Sequence, residues 1–284
     1  MSAVAETAVR QPATRDPGPT PASRQGRAVR DLREASAQWR LCWTLAWLDI
    51  KLRYRGSMLG PFWLTLSTAV MVAAMGGIYA GLFNMDLQEY LPFLVLSLVL
   101  WGFLSALVSD ACVGYTALEA MIRSVRMPFA LYAARIVVRN VLVLAHNLLV
   151  VVAVFAIFDT WPGASALLAL PGFALWLVDA FALTILLGAL CARFRDIPPI
   201  VGSVLQMAFF VTPVIWKPHL AGAGRQWLLP FNPFFDLLEL VRAPLLGTVP
   251  SAVQCGWALL YSFALCLAAW LLFARVRGRI AFWV

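Results

Sequence analysis

The chain has 284 residues, of which 62% are hydrophobic and 13% charged, with a mean hydropathy of +0.82. A soluble domain carries roughly 25% charged residues, so a water-soluble globule is excluded and the chain reads as an integral membrane protein with one helical domain. The net charge of +8 sits in arginines that flank apolar runs, which points to topology signals and anionic lipid rather than to nucleic acid.

In chain order, residues 1–38 are rich in Ala, Pro, Arg and Ser and show no apolar period, which predicts a disordered basic cytoplasmic tail. No apolar h-region precedes Trp39, so no cleaved signal peptide is expected. Residues 39–60 then predict an amphipathic interface helix. Trp39, Trp43, Trp47, Ile50 and Tyr54 share one face, and Leu41, Leu45, Leu48 and Leu52 a second. Asp49 and Arg53, four residues apart, are placed to pair. An aromatic stripe flanked by Lys51, Arg53 and Arg55 suits the membrane–water interface. The leucine stripe predicts a second contact, with the bundle that follows. Gly56, Gly60 and Pro61 end this helix, with Pro61 opening the next.

Residues 61–284 predict a transmembrane domain of six helices, approximately Pro61–Phe83, Tyr90–Val113, Ala133–Phe158, Ala166–Ala192, Ile197–Trp216 and Ala252–Ala274. Runs of about 18–25 apolar residues without strand-like alternation favour helices over a barrel. Residues 1–60 hold ten Lys/Arg, Asn84–Glu89 and Asp159–Ser165 hold none, and Arg123, Arg126, Arg193, Arg195, Arg275, Arg277 and Arg279 follow the even-numbered spans. The positive-inside rule therefore puts both termini in the cytoplasm. Lys217, Arg225 and Arg242 break the pattern, all in one long outer loop.

That loop, Lys217–Ser251, carries Trp227, Phe231, Phe234 and Phe235 between Pro218, Pro230, Pro233, Pro244 and Pro250. Its apolar pieces are too short to cross a ~30 Å core and too greasy for water, which predicts re-entrant helices between spans five and six. The cytoplasmic loop Gly114–Pro128 predicts a short helix with Leu118, Ile122 and Val125 on one face and Glu119 and Arg123 paired at i, i+4.

No GxxxxGK[ST] phosphate loop, GxSxG or HExxH motif occurs. His146 lies beside Asn147 in the third span, where an interhelical hydrogen bond is expected. Asp110, Arg135 and Arg139 lie near cytoplasmic helix ends and can pair. Asp179 falls mid-helix, where protonation, a bond to a neighbouring helix and a polar path are all open. Cys42, Cys112, Cys191, Cys255 and Cys266 are scattered and odd in number, so they read as small apolar filler rather than disulfides or a metal site.

Four stretches together, LDIKLRYRGSMLGPFW, LEAMIRSVRMPF, RFRDIPPIVGSVLQMAFFVTPVIW and NPFFDLLELVRAPLLG, resemble the membrane subunit of type-2 ABC exporters of polysaccharides, the permeases for O-antigen, capsule, teichoic acid and galactan. The resemblance covers about residues 43–284, leaving the N-terminal tail without a counterpart. It implies a homodimer of six-helix subunits in the cytoplasmic (inner) membrane, with two ABC ATPase subunits that bind ATP and Mg; this chain itself holds no cofactor. It implies a coupling helix near Tyr115–Met127, with Leu118, Glu119, Ile122, Arg123, Val125 and Arg126 toward the ATPase. An interface helix near Trp39–Arg55 would bring Trp43, Trp47, Lys51, Arg53 and Arg55 to membrane lipid and to the head group of a polyprenyl-diphosphate-linked glycan. An external gate near Gly224–Val241 would use Trp227, Phe231, Phe234 and Phe235. Two alternatives stand beside it: an ABC-2 type exporter of a drug or other lipid, and a proton-coupled secondary transporter using Asp179. A membrane enzyme would have only Asp236 and Glu239 to offer in the outer loop.

The orientation is directly testable. Asp86→Cys and Ala164→Cys, each in a background free of other cysteines, should react with an impermeant maleimide from outside, and Ser124→Cys from inside. Reaction of Ser124→Cys from outside would reverse the assignment.

Overall fold

A computed structural model describes residues 21–58, 60, 62–222 and 226–284, and all the regular elements among them are helical. They are α1 (Pro21–Ala37), α2 (Trp39–Arg53), α3 (Phe62–Leu82), α4 (Leu87–Val113), α5 (Glu119–Ser124), α6 (Phe129–Phe158), α7 (Ala169–Arg193), α8 (Ile197–Val211), α9 (Pro233–Leu245), α10 (Ala252–Val276) and α11 (Ile280–Trp283), with short 3-10 turns between several of them. Residues 1–20 of the expected tail, Pro61, and Gly224 and Arg225 of the expected gate lie outside the described residues.

Among the described residues, five helices are long and apolar enough to cross a membrane: α3, α4, α6, α7 extended by the 3-10 turn Ala164–Leu168, and α10 with its C-terminal continuation. The expected fifth span is shorter than the sequence suggests. α8 stops at Val211 instead of continuing to Trp216. Pro213 causes the stop, because its ring pushes the preceding residue out of the helical region, and Thr212 is extended with ψ 137°. Fifteen residues reach about 22 Å, short of a ~30 Å core.

Residues 21–37 correct the expectation of a disordered tail: they form α1. Its inward face is Ala28, Asp31 and Ala35, all buried, with Leu32 beside them. Two alanines and an aspartate make no hydrophobic stripe, so periodicity could not reveal them. Asp31 also explains why α6 begins at Phe129 rather than Ala133. Its carboxylate accepts the N–H groups of Phe129 at 3.2 Å and Ala130 at 2.9 Å, capping α6 from a distant part of the chain.

The core is built around α4, which touches α3, α6, α7, α8 and α9. Tyr90, Leu94, Leu96 and Leu100 of α4 are buried. Phe103 of α4 stacks on Trp176 of α7 with ring planes 5° apart, and the Trp176 indole N–H donates to the Leu237 carbonyl of α9 at 2.8 Å. By contrast α3 and α10 expose many large apolar side chains, among them Val70, Ile78, Leu259, Phe263 and Leu271. That is the surface a hydrocarbon environment or another helix covers.

α9 reaches α7 through a glycine. A Cβ on Gly172 would stand 2.7 Å from the Leu240 carbonyl oxygen, a backbone atom that no rotamer change can move aside. Gly172→Ala should therefore push α9 off α7 and cost about 1–3 kcal/mol, read as a lower unfolding temperature in detergent. An unchanged unfolding temperature would show that the two helices have room to separate.

Candidate functional site

The basic end of the bundle is organised by five polar side chains. Arg135 of α6 grips Asp49 of α2 with two parallel bonds, its Nε lying 2.7 Å from Oδ2. Arg139, one turn along, approaches Asp49 at 3.9 Å and bonds Asp110 of α4 at 2.7 Å. Asn140 completes the set by donating to Asp110 at 2.9 Å. Asp110, Arg135 and Arg139 were expected to pair among themselves. The structure adds Asp49, whose predicted partner Arg53 stays exposed. Arg135 wins because a half-buried carboxylate gains more from a guanidinium it meets bidentately in a low-dielectric cleft than from an exposed neighbour four residues away.

This grip orients α2. Its inward face is Cys42, Ala46 and Ile50, all buried, flanking Asp49. The leucine stripe expected to meet the bundle instead stays outward, with Leu41, Leu48 and Leu52 exposed. Small residues let the α2 and α6 backbones come close enough for the Asp49–Arg135 pair to form, which leucines would prevent. Trp39, Trp43 and Trp47 are half-exposed on another side, and Lys51, Arg53 and Arg55 are exposed beyond them.

The short helix α5 corrects a second expectation. Leu118 and Ile122 do not form a free docking face with Val125. With Met121 they pack on a cluster that includes Tyr115, Tyr132 and Phe273 of the same subunit, whereas Val125 is 50% exposed. The outward side of the segment carries Glu119 and Arg123, paired at 2.8 Å, together with Ser124 and Arg126. Arg123 also donates to the Val284 carbonyl at 2.6 Å, tying α5 to the end of α11. Tyr115, at the root of the segment, is fully buried. Burial first, and the nearby Asp31 charge second, raise its hydroxyl far above the ordinary range, so it stays neutral.

At the opposite end, α9 and the 3-10 turn Gln226–Phe231 pack against the bundle rather than standing away from it. Asn232 caps α9, accepting the N–H groups of Phe234 and Phe235, and donates to Thr212 at 2.9 Å. Arg242, a residue that broke the charge pattern of the loops, is entirely buried. It donates to Ser97 of α4 at 2.8 Å and to the Pro213 carbonyl at 2.6 Å, pairs with Glu239, and lies over the Phe93 ring at 4.6 Å. It is thus a pin joining α9, α4 and the break after α8. Its departure from the positive-inside rule was the one signal in the sequence that could have found it.

The four expected gate aromatics separate into two groups. Phe235 is buried and Phe234 packs on Trp101, so both belong to the core of the bundle. Trp227 and Phe231, 63% and 55% exposed, begin an aromatic row that continues through Trp257 to Tyr261 on α10. Successive ring centroids along it lie 6.3, 5.3 and 5.8 Å apart. Trp257 and Tyr261 were missed because they sit inside an apolar span, where aromatics look like filler.

In mid-bundle, Asp179 of α7 accepts from Ser262 of α10 at 2.7 Å, the interhelical option among the three left open. The interhelical bonding expected at His146 and Asn147 is present: Asn147 accepts from Thr68 of α3 and the His146 carbonyl accepts from Thr65, both at 3.3 Å, while the His146 ring bonds the Leu142 carbonyl in its own helix.

This arrangement defines a class: a helical, polytopic membrane protein with a helix packed on the bundle before its first span, a short loop helix at its basic end and a short packed helix before its last span. The chain belongs to the ABC-2 type transporter family, whose description matches residues 40–246. Among curated proteins it is similar to the O-antigen export system permease protein RfbA of Myxococcus xanthus, 26% identical over 247 residues, which are 81% of this chain and 94% of that protein. It is also similar to a permease of the same name from Klebsiella pneumoniae, 19% identical over 234 residues, covering 82% of this chain and 90% of the relative.

The Asp49–Arg135 grip makes a quantitative prediction. Asp49→Ala leaves Arg135 without a carboxylate and should cost about 3 kcal/mol, whereas Arg135→Ala leaves Asp49 within reach of Arg139 and should cost less. The double variant should be less destabilised than the sum, by about 0.5–3 kcal/mol. Additive unfolding free energies would mean that the pair contributes nothing of its own.

Proposed function

We propose that the chain is the transmembrane subunit of an ATP-driven exporter that moves a lipid-linked polysaccharide, an O-antigen-type glycan on polyprenyl diphosphate, out of the cytoplasm. Two copies form the path and two separate ABC ATPase subunits supply the energy. The subunit lies in the cytoplasmic membrane with both termini inside. Family membership and near end-to-end similarity to O-antigen permeases support the transport role. The observation that carries the cargo class is the row Trp227–Phe231–Trp257–Tyr261. Sugar rings present C–H faces that rest on aromatic rings, so such a row offers a sequence-tolerant path for a long polymer while its hydroxyls stay hydrated.

At the basic end, the ATPase meets the outward side of α5, namely Glu119, Arg123, Val125 and Arg126, while Leu118 and Ile122 hold the helix on its own subunit. Force applied there passes into α6, which starts five residues after α5 ends. Lys51, Arg53 and Arg55 on and beyond α2 are available to the diphosphate head group, since Asp49, the acid of that helix, is taken by Arg135. The fold-back before α10 dips into the outer half of the membrane and, held by Arg242, keeps the exit closed at rest.

The test is export in the native host. Deleting the gene should leave lipid-linked polysaccharide on the cytoplasmic side and strip it from the cell surface. A plasmid copy carrying Phe231→Ala and Trp257→Ala should reach the membrane normally yet restore surface glycan at least about tenfold less than the unaltered copy, given roughly 1 kcal/mol lost per aromatic contact. Full restoration by that variant would remove the aromatic row from the sugar path. Normal surface glycan in the deletion strain would exclude this cargo.

A further inference from the structure

Five arginines converge where α1 meets the end of α10. Arg24 and Arg27 of α1, Arg275 of α10, and Arg277 and Arg279 of the turn after it line one concave pocket of about 450 Å³, together with Ala274 and Gly278. Among the described residues no carboxylate lines it. Of these five arginines, Arg277 alone has an anionic partner among the described residues, its Nε donating to Asp31 at 2.6 Å. Asp31 is itself fully buried and also accepts the two N–H groups that open α6. Arg24, Arg27, Arg275 and Arg279 form no ion pair there.

Topology alone does not demand this. The positive-inside rule is satisfied by cations anywhere near a span, and repulsion favours spreading them. Here two stretches from opposite ends of the chain bring guanidinium groups to the same space, and Asp31 holds one of them in place. The small side chains of Ala274 and Gly278 leave the centre open. Planar guanidinium forks match phosphate oxygens bidentately, and several of them around one cavity fit a ligand with more than one negative charge.

We propose that this pocket binds a phosphate-bearing anion, a mono- or diphosphate group, and that the bound anion clamps α1 to α10. Through Asp31 the same clamp reaches the first turn of α6, directly after the α5 segment. Phosphate is the chemistry shared by lipid head groups and by free cytosolic di- and polyphosphates. The site goes beyond the export reading and does not depend on it, because it is tested by binding to the purified protein, whatever the cargo.

The full chain in detergent is titrated with inorganic pyrophosphate at constant ionic strength, with unfolding temperature as the readout. In parallel it is reconstituted in phosphatidylcholine nanodiscs with and without phosphatidic acid. A quadruple variant, Arg24→Gln, Arg27→Gln, Arg275→Gln and Arg279→Gln, is compared with a control carrying Arg33→Gln, Arg40→Gln and Arg195→Gln, which removes exposed charge elsewhere. Pyrophosphate should raise the unfolding temperature of the wild type and the control in a saturable way, and the quadruple variant should bind at least about 100-fold more weakly. Stabilisation by phosphatidic acid but not by pyrophosphate assigns the site to a lipid head group, and stabilisation by pyrophosphate assigns it to a free phosphate ligand. If neither stabilises the wild type, or if the quadruple variant responds as the wild type does, the site does not exist. Should the quadruple variant fail to fold, Arg24→Gln with Arg27→Gln, which alters only the start of α1, gives the same readout.

Discussion

The structure depends on the rule that a charge removed from water must find a partner. Asp49 has little access to solvent once α2 lies on α6, and Arg135 has less. Each therefore fixes the other, and Arg139, Asp110 and Asn140 extend the bond from α2 through α6 into α4. An amphipathic helix with tryptophans on one side has only a loose preference for a membrane surface. The same helix tied bidentately to a spanning helix has a defined position and direction. α2 is therefore part of the bundle rather than a float attached to it, and α6 is bonded directly to the helix that carries Lys51 and Arg53.

The same device recurs at both ends. Asp31 joins α1 to the start of α6 and, through Arg277, to the end of α10. Arg242 joins α9 to α4 and to the break after α8. Between these pins the contacts are apolar or weakly polar: Phe103 on Trp176, Gly172 against the Leu240 backbone, Asp179 with Ser262. Polar ends are directional and resist sliding, whereas an apolar midsection resists separation and tolerates small rotations.

Three features of the proposed transport path follow from this framework. α5 rests on its own subunit through Leu118, Met121 and Ile122, which leaves its charged side for recognition. α9 is held to the bundle by buried Arg242 together with Phe234 and Phe235. The aromatic row crosses from exposed Trp227 and Phe231 on the 3-10 turn onto half-buried Trp257 and Tyr261 on α10, so it is shared by two elements.

Composition and run length were enough to determine that this is a helical membrane protein, because hydrocarbon tolerates only segments that satisfy their own backbone. The spacing of Trp39, Trp43 and Trp47 made a helix before the first span legible, and the apolar pieces between Pro218 and Pro250 made short helical elements before the last span legible by their length. What the sequence could not decide was which face of each amphipathic element turns inward. On α2 the leucines lost to Cys42, Ala46 and Ile50. On α5 Leu118 and Ile122 turned home. On α1 an inward face of Ala28, Asp31 and Ala35 had no periodic signature at all. In each case the choice was made by a bond or close contact to residues far away in the chain: Arg135 for Asp49, the α6 N–H groups and Arg277 for Asp31, the cluster that holds Phe273 and Ile280 for Ile122. Local pattern encodes how apolar a face is, but in a membrane protein lipid accepts apolar faces as readily as the bundle does. The inward face is then chosen by small size and by the need of buried charges for partners, and those partners exist only in the tertiary structure.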